Sequence, residues 1–253
     1  MRTKVIAGNW KMNTLPTEGV QLAKEINEYC EKNLPSHVRV ILAPPFTHLI
    51  PVINAVNGKF VSVSAQNCSQ HKKGAYTGEI SVDMIAASGC QYIIIGHSER
   101  RAYHHEDNAM LAAKVDVVLA NNLIPIYCCG ETLEERESGK LFDVIKSQIV
   151  EGLFHLSPEA FSKILIAYEP VWAIGTGKTA TPQQASEMHA YIRKLVSEKM
   201  GATISDQLSI LYGGSVNAAN ARELFSMPHV DGGLVGGASL KSADFIEIIK
   251  GAN

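Results

Sequence analysis

The sequence predicts an α/β fold, a single (β/α)8 barrel in which eight parallel strands close into a ring inside a layer of helices. Eight short apolar or β-branched runs alternate with amphipathic stretches over the 253 residues, which is typical of parallel strands joined by right-handed crossovers. No linker or low-complexity segment divides the chain, and barrels of this class reach roughly 200–250 residues as one domain. We therefore expect residues 1–253 to form one domain.

The predicted strands leave room for a helix after each of them. They cover residues 4–7, 38–42, 60–65, 92–95, 124–128, 164–168, 209–212 and 233–235. The sixth run is apolar without period-two alternation, which indicates a strand buried on both faces. Eight such units can close without an edge strand. The alternative is a doubly wound open sheet, which favours a GxGxxG turn after the first strand, where this chain has Gly8-Asn9-Trp10-Lys11.

Composition limits the classes of partner. The chain has 23 basic and 25 acidic residues and a formal net charge of −2, which gives no electrostatic reason to expect nucleic acid or membrane partners. It contains no signal-peptide pattern and no apolar run of about 18 residues, so we expect a cytoplasmic protein. The five cysteines lack CxxC spacing, which favours buried reduced thiols over disulfides or a metal site.

The ends of the first and fourth strands carry candidate site residues, because barrels of this class place their chemistry at the carboxyl ends of strands. Asn9 and Lys11 follow the first strand. Lys11 suits either a solvated rim position or the neutralisation of an anionic substrate. After the fourth strand, His97 enters the first turn of a helix, where the helix dipole disfavours a cationic imidazole. Glu99, Arg100 and Arg101 follow, and are also compatible with ordinary surface charges.

The sixth strand ends in a carboxylate, and the loop that follows it has the pattern of a lid. Glu169 closes the strand, since Pro170 cannot donate a ladder hydrogen bond. Apolar residues 171–174 and the flexible Gly175-Thr176-Gly177 follow, an arrangement that favours a lid. The helix then restarts with Thr181 as N-cap. The alternative is that Glu169 only ends a strand and Trp172 fills a surface groove.

Two other connections are more than simple turns. The third strand opens a long loop from Gln66 to Glu79 that contains Gly74-Ala75-Tyr76-Thr77-Gly78, which is too structured for a mere connection. Glycine clusters surround the last two strands, with Gly213 and Gly214 after the seventh and Gly236 and Gly237 after the eighth. Bare backbone N–H groups at this position favour a phosphate site, and tight turns are the alternative.

The chain resembles triosephosphate isomerases over essentially its whole length. The motifs that carry the resemblance are Gly8-Asn9-Trp10-Lys11-Met12-Asn13, Gly74-Ala75-Tyr76-Thr77-Gly78-Glu79, Gly96-His97-Ser98-Glu99-Arg100-Arg101, Ala167-Tyr168-Glu169-Pro170-Val171-Trp172-Ala173-Ile174-Gly175-Thr176-Gly177-Lys178, Tyr212-Gly213-Gly214-Ser215-Val216 and Gly236-Gly237-Ala238-Ser239. The resemblance implies a TIM barrel that interconverts dihydroxyacetone phosphate and D-glyceraldehyde 3-phosphate in glycolysis and gluconeogenesis, as an aldose–ketose isomerase without a cofactor or metal.

Residue roles follow from the same resemblance. This family uses a glutamate base and a neutral histidine, which implies Glu169 as base, His97 as electrophile and Lys11 as electrostatic stabiliser, with Asn9 and Glu99 in the catalytic set. The implied substrate-binding residues are Asn9, Lys11, Gly175, Ser215, Leu234, Gly236 and Gly237. The implied lid residues are Val171, Trp172, Ala173, Ile174, Gly175, Thr176, Gly177 and Lys178, with Tyr212 as the latch. Ile174 and Leu234 would pack around Glu169, and Thr77 would reach the site of a second copy in a homodimer.

The chemistry of the residues fits that reaction independently of the resemblance. Proton transfer between adjacent carbons requires a carboxylate over the C–H bond, a donor on the carbonyl oxygen and positive charge near the enediolate. One rival is a metal-dependent sugar-phosphate epimerase, which would need metal ligands at strand ends. The other is a catalytically silent phosphate-binding barrel. Two departures from the family pattern, Cys129 beside Cys128 and the polar run at residues 104–108, are interpreted as packing and helix-start variation.

Overall fold

Eight parallel strands close into a barrel in chain order. The computed structural model describes residues 2–174 and 179–253. Its strands are β1 (Lys4–Asn9), β2 (Val38–Ala43), β3 (Val61–Ala65), β4 (Tyr92–Ile95), β5 (Ile124–Cys129), β6 (Leu165–Tyr168), β7 (Ile210–Tyr212) and β8 (Gly232–Val235). Closure is made by β8 pairing with β1, in the register Val5↔Gly232 to Gly8↔Val235. The predicted fold class is confirmed, and the open doubly wound alternative is wrong.

Seven of the eight predicted strands differ from the observed ones at one end, by one or two residues, and only β4 keeps both ends. The strands β1, β2 and β5 end later than predicted, at Asn9, Ala43 and Cys129, whereas β3, β6 and β7 begin one residue later and β8 one residue earlier. Asn9 extends β1 because it still pairs with Ala43 of the neighbouring strand. Pairing with a neighbour cannot be deduced from the residue's own polarity, so a polar strand end is missed by pattern alone.

The helices form the outer layer. They are α1 (Pro16–Asn33), α2 (Leu49–Ala55), α3 (Val82–Ser88), α4 (Ser98–Tyr103), α5 (Asn108–Ala120), α6 (Leu133–Glu137), α7 (Leu141–Leu153), α8 (Pro158–Phe161), α9 (Pro182–Met200), α10 (Ala202–Gln207), α11 (Ala221–Ser226) and α12 (Ser242–Lys250). The predicted start of α9 is confirmed: Thr181 Oγ1 accepts from the N–H of Gln184 at 3.1 Å, and the Gln184 side chain accepts from the N–H of Thr181 at 2.9 Å.

Side chains alternate along each strand between two cores. One parity, including Ala7, Ile94 and Leu211, fills the barrel interior, while the other packs against the helices. The adjacent cysteines divide in this way, since Cys128 lies inside the barrel and Cys129 outside it. All five cysteines are buried and free, and burial raises the pKa of Cys129 to about 12. In both described ranges, no helix is long and apolar enough to cross a membrane.

The polar run at residues 104–108 has two structural tasks. Asp107 is the N-cap of α5, and its Oδ1 accepts from the N–H of Met110 at 2.7 Å. Glu106 is buried, with its Oε1 2.6 Å from both Lys114 Nζ and Arg100 Nε. The interpretation as helix-start variation therefore holds for Asp107, whereas Glu106 is a buried ion-pair residue, which polarity alone did not predict.

Candidate active site

Glu169 lies immediately after β6 with its carboxylate turned toward the end of β4. Its main chain is fixed because its N–H donates to the carbonyl of Cys129 at 2.7 Å. The residue is 1 % exposed. Its Oε2 accepts from the N–H of Ser98 at 2.9 Å, and its Oε1 lies 2.9 Å from His97 Nε2. Both carboxylate oxygens therefore have a hydrogen-bond donor, which is what a buried charge requires.

His97 presents one nitrogen to Glu169 and the other to the main chain. Its Nδ1 accepts from the N–H of Glu99 at 3.3 Å, so the proton of the neutral ring belongs on Nε2, which faces Glu169. Burial lowers the pKa of His97, but the Glu169 carboxylate, helped by that of Glu99, raises it more, and the pKa lies above its ordinary value.

The direction of this pKa shift differs from the expectation that the helix start disfavours the cation. The reason is local, because Glu169 lies directly against Nε2 in this arrangement. The upward shift therefore depends on the position of Glu169. If that carboxylate turned away, burial and the N–H donated to Nδ1 would both favour the neutral ring.

Two glycines make room for Glu169. A Cβ at Gly213 would lie 2.8 Å from Cγ of Glu169, closer than packed atoms allow. A Cβ at Gly130, which follows β5, would overlap the Glu169 carbonyl. The sequence interpretation assigned Gly213 to a phosphate site, whereas the structure shows that a side chain at Gly213 would also displace the Glu169 side chain. Nothing in the sequence pattern pointed to Gly130.

Lys11 enters the site from an unusual backbone conformation. Its φ is 53°, in the left-handed region that costs a non-glycine residue about 1–3 kcal/mol. Its N–H donates to Asn9 Oδ1 at 3.0 Å and its carbonyl accepts from Gln66 Nε2 at 2.8 Å, which together hold the turn. The Nζ lies 2.6 Å from Glu99 Oε1. Glu99 thus contacts Lys11 directly.

One cavity of about 310 Å³ brings the candidate residues of different strands together. Its lining consists of Asn9, Lys11, His97, Glu169, Ile174, Gly213, Gly214, Ser215, Val216, Leu234, Gly236, Gly237 and Ala238. A Cβ at Gly237 would meet no atom within 4 Å, so the backbone there faces open space rather than a packed turn. The cavity lining therefore includes bare main chain at Gly237, a surface suited to an anion.

The described part of the predicted lid is anchored at its beginning. Val171–Ala173 form a 3₁₀ turn, and Trp172 Nε1 donates to Glu131 Oε1 at 2.9 Å. Ser215 Oγ donates to the carbonyl of Ala173 at 2.9 Å, so Ser215 contacts the lid as well as the cavity. The remaining predicted lid residues, Gly175, Thr176, Gly177 and Lys178, lie outside the described residues.

Tyr212, the expected latch, is fully buried. Burial raises its pKa to about 12, and the main chain of Ala180, which lies just beyond the lid, acts in the opposite direction. The hydroxyl therefore stays protonated at neutral pH.

Glu131 is a site-supporting residue that the sequence interpretation missed. It is completely buried, and its Oε1 accepts from Tyr168 Oη at 3.0 Å, Trp172 Nε1 at 2.9 Å and Arg136 NH1 at 3.0 Å. The available indication was its position, since Gly130-Glu131 follows β5 as Glu169 follows β6.

Within residues 2–174 and 179–253, no group of three His, Cys, Asp or Glu residues could hold a metal ion, which gives the metal-dependent epimerase no support.

Fold and site together define the class of protein: a (β/α)8 barrel with a carboxylate, an imidazole and an ammonium around a backbone-lined cavity at the carboxyl ends of its strands. Comparison with known proteins identifies the family. The model of the family described as triosephosphate isomerase matches residues 4–252, and the chain belongs to this family.

Its relatives match it from end to end. The chain is 54% identical over 253 residues to the triosephosphate isomerase of Bacteroides fragilis, with 100% of both chains covered. It is 53% identical over 249 residues to that of Phocaeicola vulgatus, with 98% of both covered. Identity to the enzyme of Flavobacterium johnsoniae is 48% over 251 residues, with 98% of this chain and 99% of the relative covered.

Proposed function

We propose that this protein is a triosephosphate isomerase that interconverts dihydroxyacetone phosphate and D-glyceraldehyde 3-phosphate, with Glu169 as base, His97 as electrophile and Lys11 as electrostatic stabiliser. The observation that carries the assignment of roles is the convergence of these three side chains on one cavity, with Glu169 Oε1 2.9 Å from His97 Nε2. Membership of the family supports the reaction itself.

The reaction balances without any external reductant. Glu169 takes the proton from C2 of the aldose, the electrons of that C–H bond form a double bond between C1 and C2, and the π electrons of the C1 carbonyl move onto its oxygen to give an enediolate. His97 Nε2–H donates to that oxygen, and Lys11 and Asn9 lie on the same side. A proton then moves from the oxygen on C2 to the oxygen on C1, so that C2 becomes the carbonyl carbon, and Glu169 returns its proton to C1. The hydrogen and electrons stay within the substrate, so no cofactor is needed.

Glu169 must move before it can act. Both of its oxygens are engaged, by Ser98 N–H and by His97, and a base needs a free lone pair directed at the carbon. We infer that substrate binding draws the carboxylate away from Ser98. His97 is then relieved of its anionic neighbour and its pKa falls, which provides the neutral donor that the enediolate requires.

Gly236 and Gly237 face the phosphate in this proposal, and Ser215, Leu234 and Ile174 line the same cavity. The lid would complete the enclosure through Gly175 and exclude water, which strengthens every electrostatic contact inside. Exclusion also protects the enediolate, whose phosphate can be expelled when the C–O bond aligns with the π system.

A coupled assay on the purified protein tests the proposed reaction. We expect conversion of either triose phosphate to the other, with a kcat/KM within the general enzyme range of about 10⁴–10⁸ M⁻¹ s⁻¹. Pretreatment with a chelator should leave the rate unchanged. Absence of isomerisation, with phosphate ion still bound, would instead identify a silent phosphate-binding barrel.

We also propose a cytoplasmic homodimer in which loop 66–79 docks on a second copy near Lys11. Large apolar side chains are exposed in the segments that follow β1, β3 and β4: Met12 at 95 %, Tyr76 at 44 % and Tyr103, the last residue of α4, at 77 %. Thr77 lies in the exposed part of the loop. Exposed large apolar side chains are typical of a subunit interface when they lie close together, and the strand order places β1, β3 and β4 in the same half of the barrel ring.

Tyr76→Asp should separate the subunits and reduce activity per chain, because a charge in an apolar interface is costly to desolvate. Leu133→Asp, at a 38 % exposed residue of α6, is the matched control and should leave both properties unchanged. Sedimentation velocity and activity are measured at the same protein concentration. A fully active monomer would end the idea that the second copy completes the site.

A further inference from the structure

Gln148, on the outer helix α7, forms hydrogen bonds through both its side-chain amide nitrogen and its amide oxygen with the main chain of one glycine, Gly130. Its Nε2 donates to the carbonyl of Gly130 at 3.0 Å, and its Oε1 accepts from the N–H of Gly130 at 2.8 Å. Only one orientation of the amide satisfies both partners. A side chain that bonds both main-chain groups of a residue fixes its position and orientation much as a neighbouring strand would.

The glycine held in this way lies against the backbone of Glu169. Cys129 and Tyr168, the last residues of β5 and β6, are paired in the ladder between these strands. Gly130 and Glu169 follow them directly, so they come next to each other just beyond the ends of two adjacent strands. A Cβ on Gly130 would overlap the Glu169 carbonyl. The two backbones are therefore in close contact, and a displacement of Gly130 must move Glu169.

The residue after Gly130 holds the beginning of the lid. The carbonyl of Glu131 accepts from the N–H of Val171 at 3.1 Å, and its carboxylate accepts from Trp172 Nε1 at 2.9 Å. The segment 130–131 thus contacts the proposed base and the lid, and Gln148 ties this segment to α7.

A second connection runs from the same residue toward His97. The main-chain carbonyl of Gln148 accepts from Tyr127 Oη at 2.7 Å. Arg101 NH2 donates to that hydroxyl at 3.2 Å, and Arg101 Nε donates to the carbonyl of Gly96 at 2.9 Å. Gly96 directly precedes His97, so this part of α7 is linked to the backbones on both sides of the proposed proton-transfer site.

We propose that Gln148 is a positioning residue for the isomerisation: its amide holds segment 130–131 in the place that sets the Glu169 backbone and the first turn of the lid. This inference rests on the proposed function. Gln148 is not among the residues that line the cavity, so its side chain acts on the site through Gly130. Its side chain should therefore affect the rate of proton transfer more than the binding of substrate.

Gln148→Met tests the proposal, because methionine keeps the length and apolar stem while removing both hydrogen bonds. We expect kcat to fall by about 10- to 100-fold, the cost of a small misplacement of a catalytic group, with KM within about twofold of the wild-type value. The primary isotope effect with glyceraldehyde 3-phosphate deuterated at C2 should increase, since proton transfer becomes slower relative to other steps. Ser147→Ala is the control, because the Ser147 hydroxyl donates to Glu151 on the surface of α7, and it should leave all three values unchanged.

Gln148→Glu supplies a second, independent readout. The carboxylate can still accept from the N–H of Gly130, but its other oxygen faces the Gly130 carbonyl and repels it. Once protonated, that oxygen donates and both bonds return. The ratio of variant to wild-type kcat should therefore rise as the pH falls through the titration of Glu at 148, whereas the ratio for Gln148→Met should stay constant.

The outcomes separate this inference from the proposed function. If the wild-type protein does not isomerise the substrate, it is the proposed function that is refuted, rather than the positioning role of Gln148 in particular. With an active wild type, a folded Gln148→Met variant whose kcat lies within about threefold of it, or whose isotope effect is unchanged, overturns the positioning role. If the methionine variant does not fold, a pH-independent ratio for Gln148→Glu overturns it instead.

Discussion

Glu169→Gln should reduce kcat by about 10²–10⁴-fold, the range that general base catalysis contributes. The amide keeps the shape of the side chain but cannot accept a proton from carbon. It also offers one acceptor oxygen where the carboxylate offers two, to Ser98 N–H and His97 Nε2. Folding should not suffer, because a neutral amide is less costly to bury than a charge at a position that is 1 % exposed.

Three measurements separate base catalysis from indirect damage. A three-carbon phosphate that cannot isomerise, such as glycerol 3-phosphate, should bind Glu169→Gln with little change in its dissociation constant. The free energy of unfolding should be equal to or above that of the wild type. Glu137→Gln removes a carboxylate from an exposed position of α6 and should keep full activity. Retention of more than roughly a tenth of the wild-type kcat in Glu169→Gln would refute the role of base.

Lys11→Met should impair both binding and rate, because one ammonium faces the phosphate and the enediolate in a partly enclosed cavity. A unit charge at about 4 Å contributes roughly 4 kcal/mol at the effective dielectric constant of a protein surface, which corresponds to about 10³-fold in kcat/KM. Methionine has a similar length and no charge. The substitution removes the ion pair between Lys11 and Glu99, and this loss should reduce the stability of the protein only slightly, since the Glu99 side chain is 41 % exposed.

The measurement for Lys11→Met is a full rate curve, with KM and kcat determined separately. KM should rise because the substrate phosphate loses a counter-charge. The value of kcat should fall because the negatively charged enediolate loses the same counter-charge. Lys140→Met, at an exposed residue that precedes α7, controls for the loss of one positive charge from the protein. Values of both constants equal to those of the wild type would place Lys11 outside the substrate contacts.

Strand positions were predictable from sequence because burial on both faces leaves a distinctive apolar run. All eight strands lie where these runs indicate, and the cap of α9 at Thr181 was visible in three residues. Strand ends were less accessible. Asn9 is polar, yet it continues β1 because Ala43 is opposite it, and this partner belongs to another part of the chain.

The candidate site divides in the same way. Asn9, Lys11, His97 and Glu169 could be selected from the sequence, because polar residues directly after apolar strands are costly unless they serve a site. Gly130, Glu131 and Gln148 could not be assigned from their types. An outer-helix glutamine looks like an ordinary solvated residue, and only the fold shows that its amide is occupied by the glycine beside Glu169.

By itself the sequence determined the eight-unit barrel and the side chains available at its carboxyl rim, since periodicity and residue type are local properties. Only the tertiary structure decided the contacts of these groups: Glu169 lies against His97 and raises its pKa, against the expectation from the helix start. It also decided that Lys11 adopts a left-handed backbone to reach Glu99. Such outcomes depend on distances between residues far apart in the chain, and electrostatic and hydrogen-bond energies change steeply with those distances.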